Sequence, residues 1–208
     1  ALTGNVTGSY NTAVGSQSMQ QNVSGSDNTA IGYYSLLNNN SSNNTAVGSY
    51  AMEHNTTGSD NISIGNGSLY WSTGGSNNVV LGNLAGYNTE GSGNVMIGYN
   101  AGAFEIGSDK LYIHNSNGNA TEALIYGDFN AGLLRNNGHM EILSNSTAYE
   151  GLKVMTTFAP GTNSTKAAIY GVNTIDNGWG YGVSGKGGYV GVFGESTGTG
   201  NGQFMGIY

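Results

Sequence analysis

Asn11-Thr12-Ala13-Val14-Gly15 decides the fold, because near-copies of it return through the N-terminal half of the chain: Asn28 to Gly32, Asn44 to Gly48, Asn61 to Gly65, Asn78 to Gly82 and Asn94 to Gly98. The closing glycines, Gly15, Gly32, Gly48, Gly65, Gly82 and Gly98, stand 17, 16, 17, 17 and 16 residues apart. So regular a step marks a repeat architecture, in which each unit buries its apolar face against its neighbours.

The residues around each copy are regular too. After the glycine comes a second segment, Ser18-Met19, Ser35-Leu36, Ala51-Met52 and Ser68-Leu69, loosened to Ala85-Gly86 and Ala101-Gly102. Before the asparagine comes a polar turn such as Gly25-Ser26-Asp27 or Gly58-Ser59-Asp60. One unit therefore reads as strand, glycine kink, strand and turn. A helical repeat is excluded, since Gly, Asn and Ser recur where a helix needs strong helix formers.

The first strand alternates with period two. Thr12 and Val14, Thr29 and Ile31, Thr45 and Val47, Ile62 and Ile64, Val79 and Leu81, Val95 and Ile97 share one face, which the pattern assigns to the core. The other face carries Ala13, Ala30, Ala46, Ser63, Val80 and Met96, and is open to solvent or to another subunit. Stacked units about 4.8 Å apart make a rod on the order of 30 Å long. Along it the recurrent asparagines, Asn11, Asn28, Asn44, Asn61, Asn78 and Asn94, form a ladder of bonded side chains. So few apolar side chains per unit make a thin core. Subunits are therefore expected to pack side by side, through the alanine column or the Met/Leu column.

Asn-Thr-Ala-Val-Gly and Asn-Thr-Ala-Ile-Gly, followed by Tyr33-Tyr34-Ser35-Leu36 or Ser49-Tyr50-Ala51-Met52, resemble the head repeats of YadA-type trimeric autotransporter adhesins. The resemblance covers about residues 8 to 104. It implies an all-β fold, a left-handed parallel β-roll of six 16–17-residue repeats, with three chains packed as a homotrimer. It also implies a bacterial cell-surface location and adhesion to a cell-surface glycan or protein target. The turns here are longer and richer in asparagine than the family's, and the stalk and anchor of those adhesins have no counterpart in the chain.

Beyond Glu105 the period is lost. Asp109 to Ile113, Ala123 to Phe129 and His139 to Ile142 read as strands of a β-rich connector or collar over 105–143. From 144 to 208 a Gly/Tyr/Val-rich β-repeat region follows, with Ile169-Tyr170-Gly171-Val172 and Val190-Gly191-Val192-Phe193 as its clearest pieces. Both resemble segments of long fibre proteins of the phage-tail and Bacteroidetes type. Leu2, Gly4 and Gly8-Ser9-Tyr10 read as the tail of a preceding unit and Tyr208 falls in mid-repeat, so the chain is expected to be a piece of a longer product.

Composition narrows the function. The 208 residues include no cysteine and 37 glycines, and the net charge is −7. Residues 1–109 contain no Lys or Arg and six carboxylates, namely Asp27, Glu53, Asp60, Glu90, Glu105 and Asp109. Such a rod is unsuited to nucleic acid, whose binding is led by Lys and Arg, and to anionic lipid. No stretch of the chain approaches the roughly 18 apolar residues of a membrane-spanning helix.

Catalytic chemistry finds little to stand on. Asp27 and Asp60 occupy the same turn position two units apart, which suits turn capping and lacks the two different environments of a glycosidase pair. His54, His114 and His139 have no second ligand at metal spacing, and no nucleophile motif is present. The expectation is a non-enzymatic chain with no cofactor and no metal. Tyr33, Tyr34, Tyr50, Tyr70 and Trp71 lie near the corners of successive units beside Asn and Ser. They are candidate ligand-contact residues, with packing between chains or capping of the coil as the other role open to them. Two fibre functions fit: an adhesive segment of a bacterial surface fibre, or a receptor-binding tail fibre of a phage or contractile injection system.

Overall fold

The computed structural model describes residues 1–138 except 117. The readings made for 139–208, including the strand at His139 to Ile142 and the Gly-rich region, lie outside the described residues. Nine strands form one sheet in chain order: β1 (Thr12–Val14), β2 (Thr29–Ile31), β3 (Thr45–Val47), β4 (Ile62–Ile64), β5 (Val79–Leu81), β6 (Val95–Ile97), β7 (Lys110–Ile113), β8 (Ile125–Asp128) and β9 (Leu133–Asn136). Strands β1 to β7 are parallel and in register, so that Ala13, Ala30, Ala46, Ser63, Val80, Met96 and Tyr112 stand in one column. The described part is an all-β solenoid of about six turns without a helix.

Each short strand is bounded by two left-handed residues. The residue before the ladder asparagine has positive φ at Tyr10, Asp27, Asn43, Asp60, Asn77 and Gly93, mostly the Asn, Asp and Gly that tolerate it. The closing glycine follows at φ between 118° and 143°. There the coils approach so closely that a Cβ on Gly48 would lie 2.4 Å from the carbonyl oxygen of Gly65.

The unit holds one strand, where the sequence pattern had implied two. In the second segment the residues two and four after the glycine are left-handed: Gln17 and Met19, Tyr34 and Leu36, Tyr50 and Met52, Gly67 and Leu69. In an extended strand Ser18 and Met19 would point to opposite faces. The left-handed turns abolish that alternation, and Ser18, Met19, Ser35, Leu36, Ala51, Met52, Ser68 and Leu69 are all buried. Bonds between coils persist through the segment, as in Leu36 N–H to Ala51 O at 3.0 Å and Met52 N–H to Ser68 O at 2.9 Å.

The core lies on the opposite face from the one expected. Ala30, Ala46, Ser63, Val80 and Met96 are fully buried, and all but Ser63 pack in one apolar cluster with Met19, Leu36, Met52 and Leu69. Val14, Ile31, Ile62, Ile64 and Ile97 are exposed. The physical reason is space: the interior of a 16–17-residue coil holds one small residue opposite one long one. Where the strand residue grows, to Val80 and Met96, the facing position shrinks to Gly86 and Gly102, and a Cβ on Gly102 would lie 2.7 Å from the Met96 sulfur. The alanine and Met/Leu columns, expected to meet other subunits, are thus enclosed within each coil.

The asparagines form two columns. In the first, each Oδ1 accepts the backbone N–H of the next: Asn11 from Asn28 at 3.0 Å, Asn28 from Asn44 at 2.9 Å, Asn44 from Asn61 at 3.1 Å, Asn61 from Asn78 at 3.0 Å and Asn78 from Asn94 at 2.9 Å. Asn94 accepts from Lys110 at 2.9 Å, so coil register runs on past Glu105 into β7. The second column is Asn5, Asn22, Asn39 and Asn55, with Asn22 donating to Asn5 at 2.8 Å and Asn55 to Asn39 at 2.7 Å. Turn carbonyls tie the two together: Gly58 O accepts from Asn44 and from Asn55, each at 2.9 Å.

Leu2, left-handed like Met19, donates its N–H to Ser18 O at 3.1 Å, so the first residues complete a coil edge. At the other end Tyr112 replaces Met96 in the core column and packs edge-on against Tyr126. Burial pushes the Tyr112 phenol up, and it donates to the Glu105 carboxylate at 2.5 Å. β8 and β9 then turn back antiparallel, and the Lys110 ammonium meets Asp128 at 2.7 Å.

Candidate functional site: an aromatic corner

The five aromatics marked in the sequence come together at one corner, just after the kink glycines. Tyr33 meets Tyr34 edge-on at 4.1 Å and Tyr50 at 5.4 Å, and Tyr34 stacks with Tyr50 at 5.7 Å. Tyr50 reaches Tyr70 at 6.2 Å, and Tyr70 meets Trp71 edge-on at 5.0 Å. Coil register produces this contiguity. Tyr34 and Tyr50 both stand two residues beyond a kink glycine, and Tyr70 stands five beyond Gly65.

Three further residues belong to the row. Tyr87, five beyond Gly82, stacks on Tyr70 at 5.3 Å, and the His54 ring lies flat on Trp71 at 4.0 Å. Aligning the units by their glycines places Tyr87 directly after Tyr70 in one column, a signal present in the sequence. Grooves open beside the row, one of about 320 Å³ lined by Tyr50, Asn66, Gly67, Tyr70, Leu84 and Tyr87. Leu84 and Tyr87 also line the next groove, which ends at Phe104.

The third is Glu53, the one carboxylate in the row. Its column reads Gln20, Leu37, Glu53, Tyr70, Tyr87 and Ala103, so the acid stands between a buried leucine and a tyrosine. The side chain is only 12% exposed; Oε1 lies 3.9 Å from His54 Nε2, and Oε2 is buried without a hydrogen-bond partner among the described residues. Two phenols respond to this setting. The neighbouring Tyr34 hydroxyl, then burial, push Tyr33 up to about 12, and burial, then the Glu53 charge, raise Tyr70. The row is thus a set of neutral phenols around a single fixed acid.

A buried carboxylate oxygen without a hydrogen-bond donor costs stability. Glu53→Leu, which extends the column of Leu37, is expected to stabilise the chain by about 1–3 kcal/mol, read as a higher thermal midpoint than wild type.

Elsewhere the candidates stay apart. Asp27 and Asp60 are exposed turn residues of positive φ. His114 is held locally, its Nε2 2.6 Å from Ser116 Oγ and its Nδ1 accepting from the Leu124 N–H at 3.2 Å. Among the described residues no three His, Cys, Asp or Glu side chains are grouped as metal ligands, and no helix is long and apolar enough to cross a membrane.

The described part is thus an asparagine-laddered β-solenoid with an aromatic corner and, among the described residues, an exposed aliphatic sheet face. Compared with protein families, curated proteins and solved structures, the chain finds no match.

Proposed function

We propose that the chain is a non-enzymatic structural and adhesive segment of an extracellular bacterial surface fibre. Three copies pack side by side as left-handed rolls, and the connector beyond Glu105 acts as the collar of the rod. The aromatic corner meets a cell-surface glycan or protein, while nucleic acid and the membrane interior are not partners.

The observation that carries this reading is the outer face of the sheet. Val14, Ile31, Ile64 and Ile97 are exposed in one column of the sheet, with Val47 and Leu81 half-buried between them and Ile62 exposed in the column beside; Ile31 stands at 41% and Ile64 at 42%. Long apolar bands of this kind mark surfaces that meet another protein. The band replaces the alanine and Met/Leu columns as the surface between copies. It repeats with the coils, so a copy lying alongside is met at every level.

Light scattering on the full chain is expected to return the mass of three copies, and Ile31→Glu with Ile64→Glu the mass of one, with the β-sheet spectrum retained. A one-chain mass for the wild type overturns the packing. Antibodies to residues 1–104 are expected to label cell-anchored filaments under the electron microscope, and beads coated with the chain to adhere to target cells. Label on free tail-like particles instead assigns the chain to a delivery machine's fibre.

A further inference from the structure

Glu53 is the feature that coil packing leaves unexplained. The neighbouring coils fill the same position with Leu37 and Tyr70, so the fold needs no acid there. A buried carboxylate oxygen without a donor is an uncommon feature of a native protein and calls for an explanation. Residues 1–109 supply no Lys or Arg to meet it, and the His54 imidazole stands 3.9 Å from the other oxygen, Oε1.

Its surroundings select a ligand class. Burial first and then the Glu53 charge raise the Tyr70 phenol, and the ring of Tyr50 lies 5.4 Å from Tyr33 and 6.2 Å from Tyr70. Aromatic faces around a carboxylate attract cations twice over, through the ring quadrupole and through the charge. A cation also makes the stronger hydrogen bond to a carboxylate, about twice that of a neutral donor. Six carboxylates and no Lys or Arg over residues 1–109 draw cations from a distance and turn anionic glycans away.

We propose that Glu53, bounded by Tyr33, Tyr50 and Tyr70, is a receptor for a basic side chain, the guanidinium of arginine or the ammonium of lysine, displayed by a target protein. The groove lined by Tyr50 and Tyr70 is the approach. Glu53 does not line the groove, so in this proposal its side chain turns toward the groove when the basic residue enters. The aliphatic stem of the incoming residue lies along Tyr50, Tyr70 and Leu84, as long basic side chains do on apolar surface. This rests on the adhesive reading above and names the chemistry of its target.

The test uses the full chain in a Trp179→Phe background, so that Trp71 reports alone. Capped tripeptides Gly-Arg-Gly and Gly-Lys-Gly are titrated against Gly-Gln-Gly and methyl glucoside. The basic peptides are expected to change Trp71 fluorescence saturably and to weaken with added salt. Glu53→Gln, with an unchanged circular dichroism spectrum, is expected to bind them about tenfold or more weakly, and Glu53→Asp to keep part of the affinity. Equal affinity in wild type and Glu53→Gln overturns the inference. Tighter binding of methyl glucoside overturns it too and assigns the corner to a neutral glycan. The two readings fail separately. Beads of Glu53→Gln that adhere as well as wild type overturn the inference alone. Wild-type beads that fail to adhere while the peptides still bind overturn the adhesive reading alone.

Discussion

Gly48→Ala is expected to lower the thermal midpoint by about 10 °C or more, the cost of roughly 3–5 kcal/mol in a chain of this length. Two effects add. The backbone at Gly48 has φ +136°, a region that L side chains rarely adopt, and the new Cβ would lie 2.4 Å from Gly65 O and 2.6 Å from Gly65 C. Those atoms belong to the backbone of the next coil, so no side-chain rotation relieves the overlap. The same carbonyl environment recurs at Gly32, Gly65 and Gly82, and the same loss is expected at each. Gly74→Ala is the control: its Cβ would meet only Thr57 Oγ1 at 3.3 Å, and its midpoint is expected to stay near wild type. Equal losses at Gly48 and Gly74 would show that glycine flexibility, and not coil contact, sets the effect.

Asn44→Ala is expected to cost a similar amount, about 3–5 kcal/mol, measured by chemical denaturation. The side chain is fully buried and bonded on every side. Its amide donates to Gly58 O at 2.9 Å, to Ser41 Oγ at 3.1 Å and to Asn39 Oδ1 at 3.2 Å, while its oxygen accepts from Asn61 N–H at 3.1 Å. Alanine removes all of these and leaves the Asn61 N–H buried without its acceptor, at about 1–3 kcal/mol for that group alone. Gly58 O retains Asn55, which limits the damage to the ladder side. Asn44→Asp tests the same point through charge. The carboxylate still accepts from Asn61 but cannot donate to Gly58 O, and it places an anion among acceptors. A loss smaller than that of Asn44→Ala would mean that the acceptor role alone holds the column.

The unit length and the ladder were legible because parallel coils in register place equivalent residues on top of one another, so the hydrogen bonds impose the step of 16 or 17 on the sequence. The inner face was not. Period two separates Ala46 from Thr45 and Val47 but does not say which side is in, and hydrophobicity ranks Val and Ile above Ala. Coil width reverses that ranking. The exchange of Ala46 and Met52 for Val80 and Gly86, then Met96 and Gly102, records which positions face each other. It is a volume signal that alternation alone does not carry. The second segment reads as a strand because nothing in the residue types of Gln17, Tyr34 or Leu84 signals their positive φ. At the corner, Tyr33, Tyr34, Tyr50, Tyr70 and Trp71 stood out as aromatics. Glu53 did not, since an isolated acid looks ordinary until its column neighbours, Leu37 and Tyr70, are set beside it.

The bonds joining successive coils run along the direction in which the coils stack, from Thr12 N–H to Asn28 O at 2.8 Å through to Val79 N–H to Asn94 O at 2.8 Å. A tensile load applied along that direction therefore passes through every level in series, and it falls on the backbone and asparagine bonds of one interface at a time. Releasing one coil frees 16 or 17 residues, roughly 50 Å of slack once extended. Each coil is therefore expected to act as a sacrificial link, read in single-molecule stretching as rupture steps of roughly 50 Å.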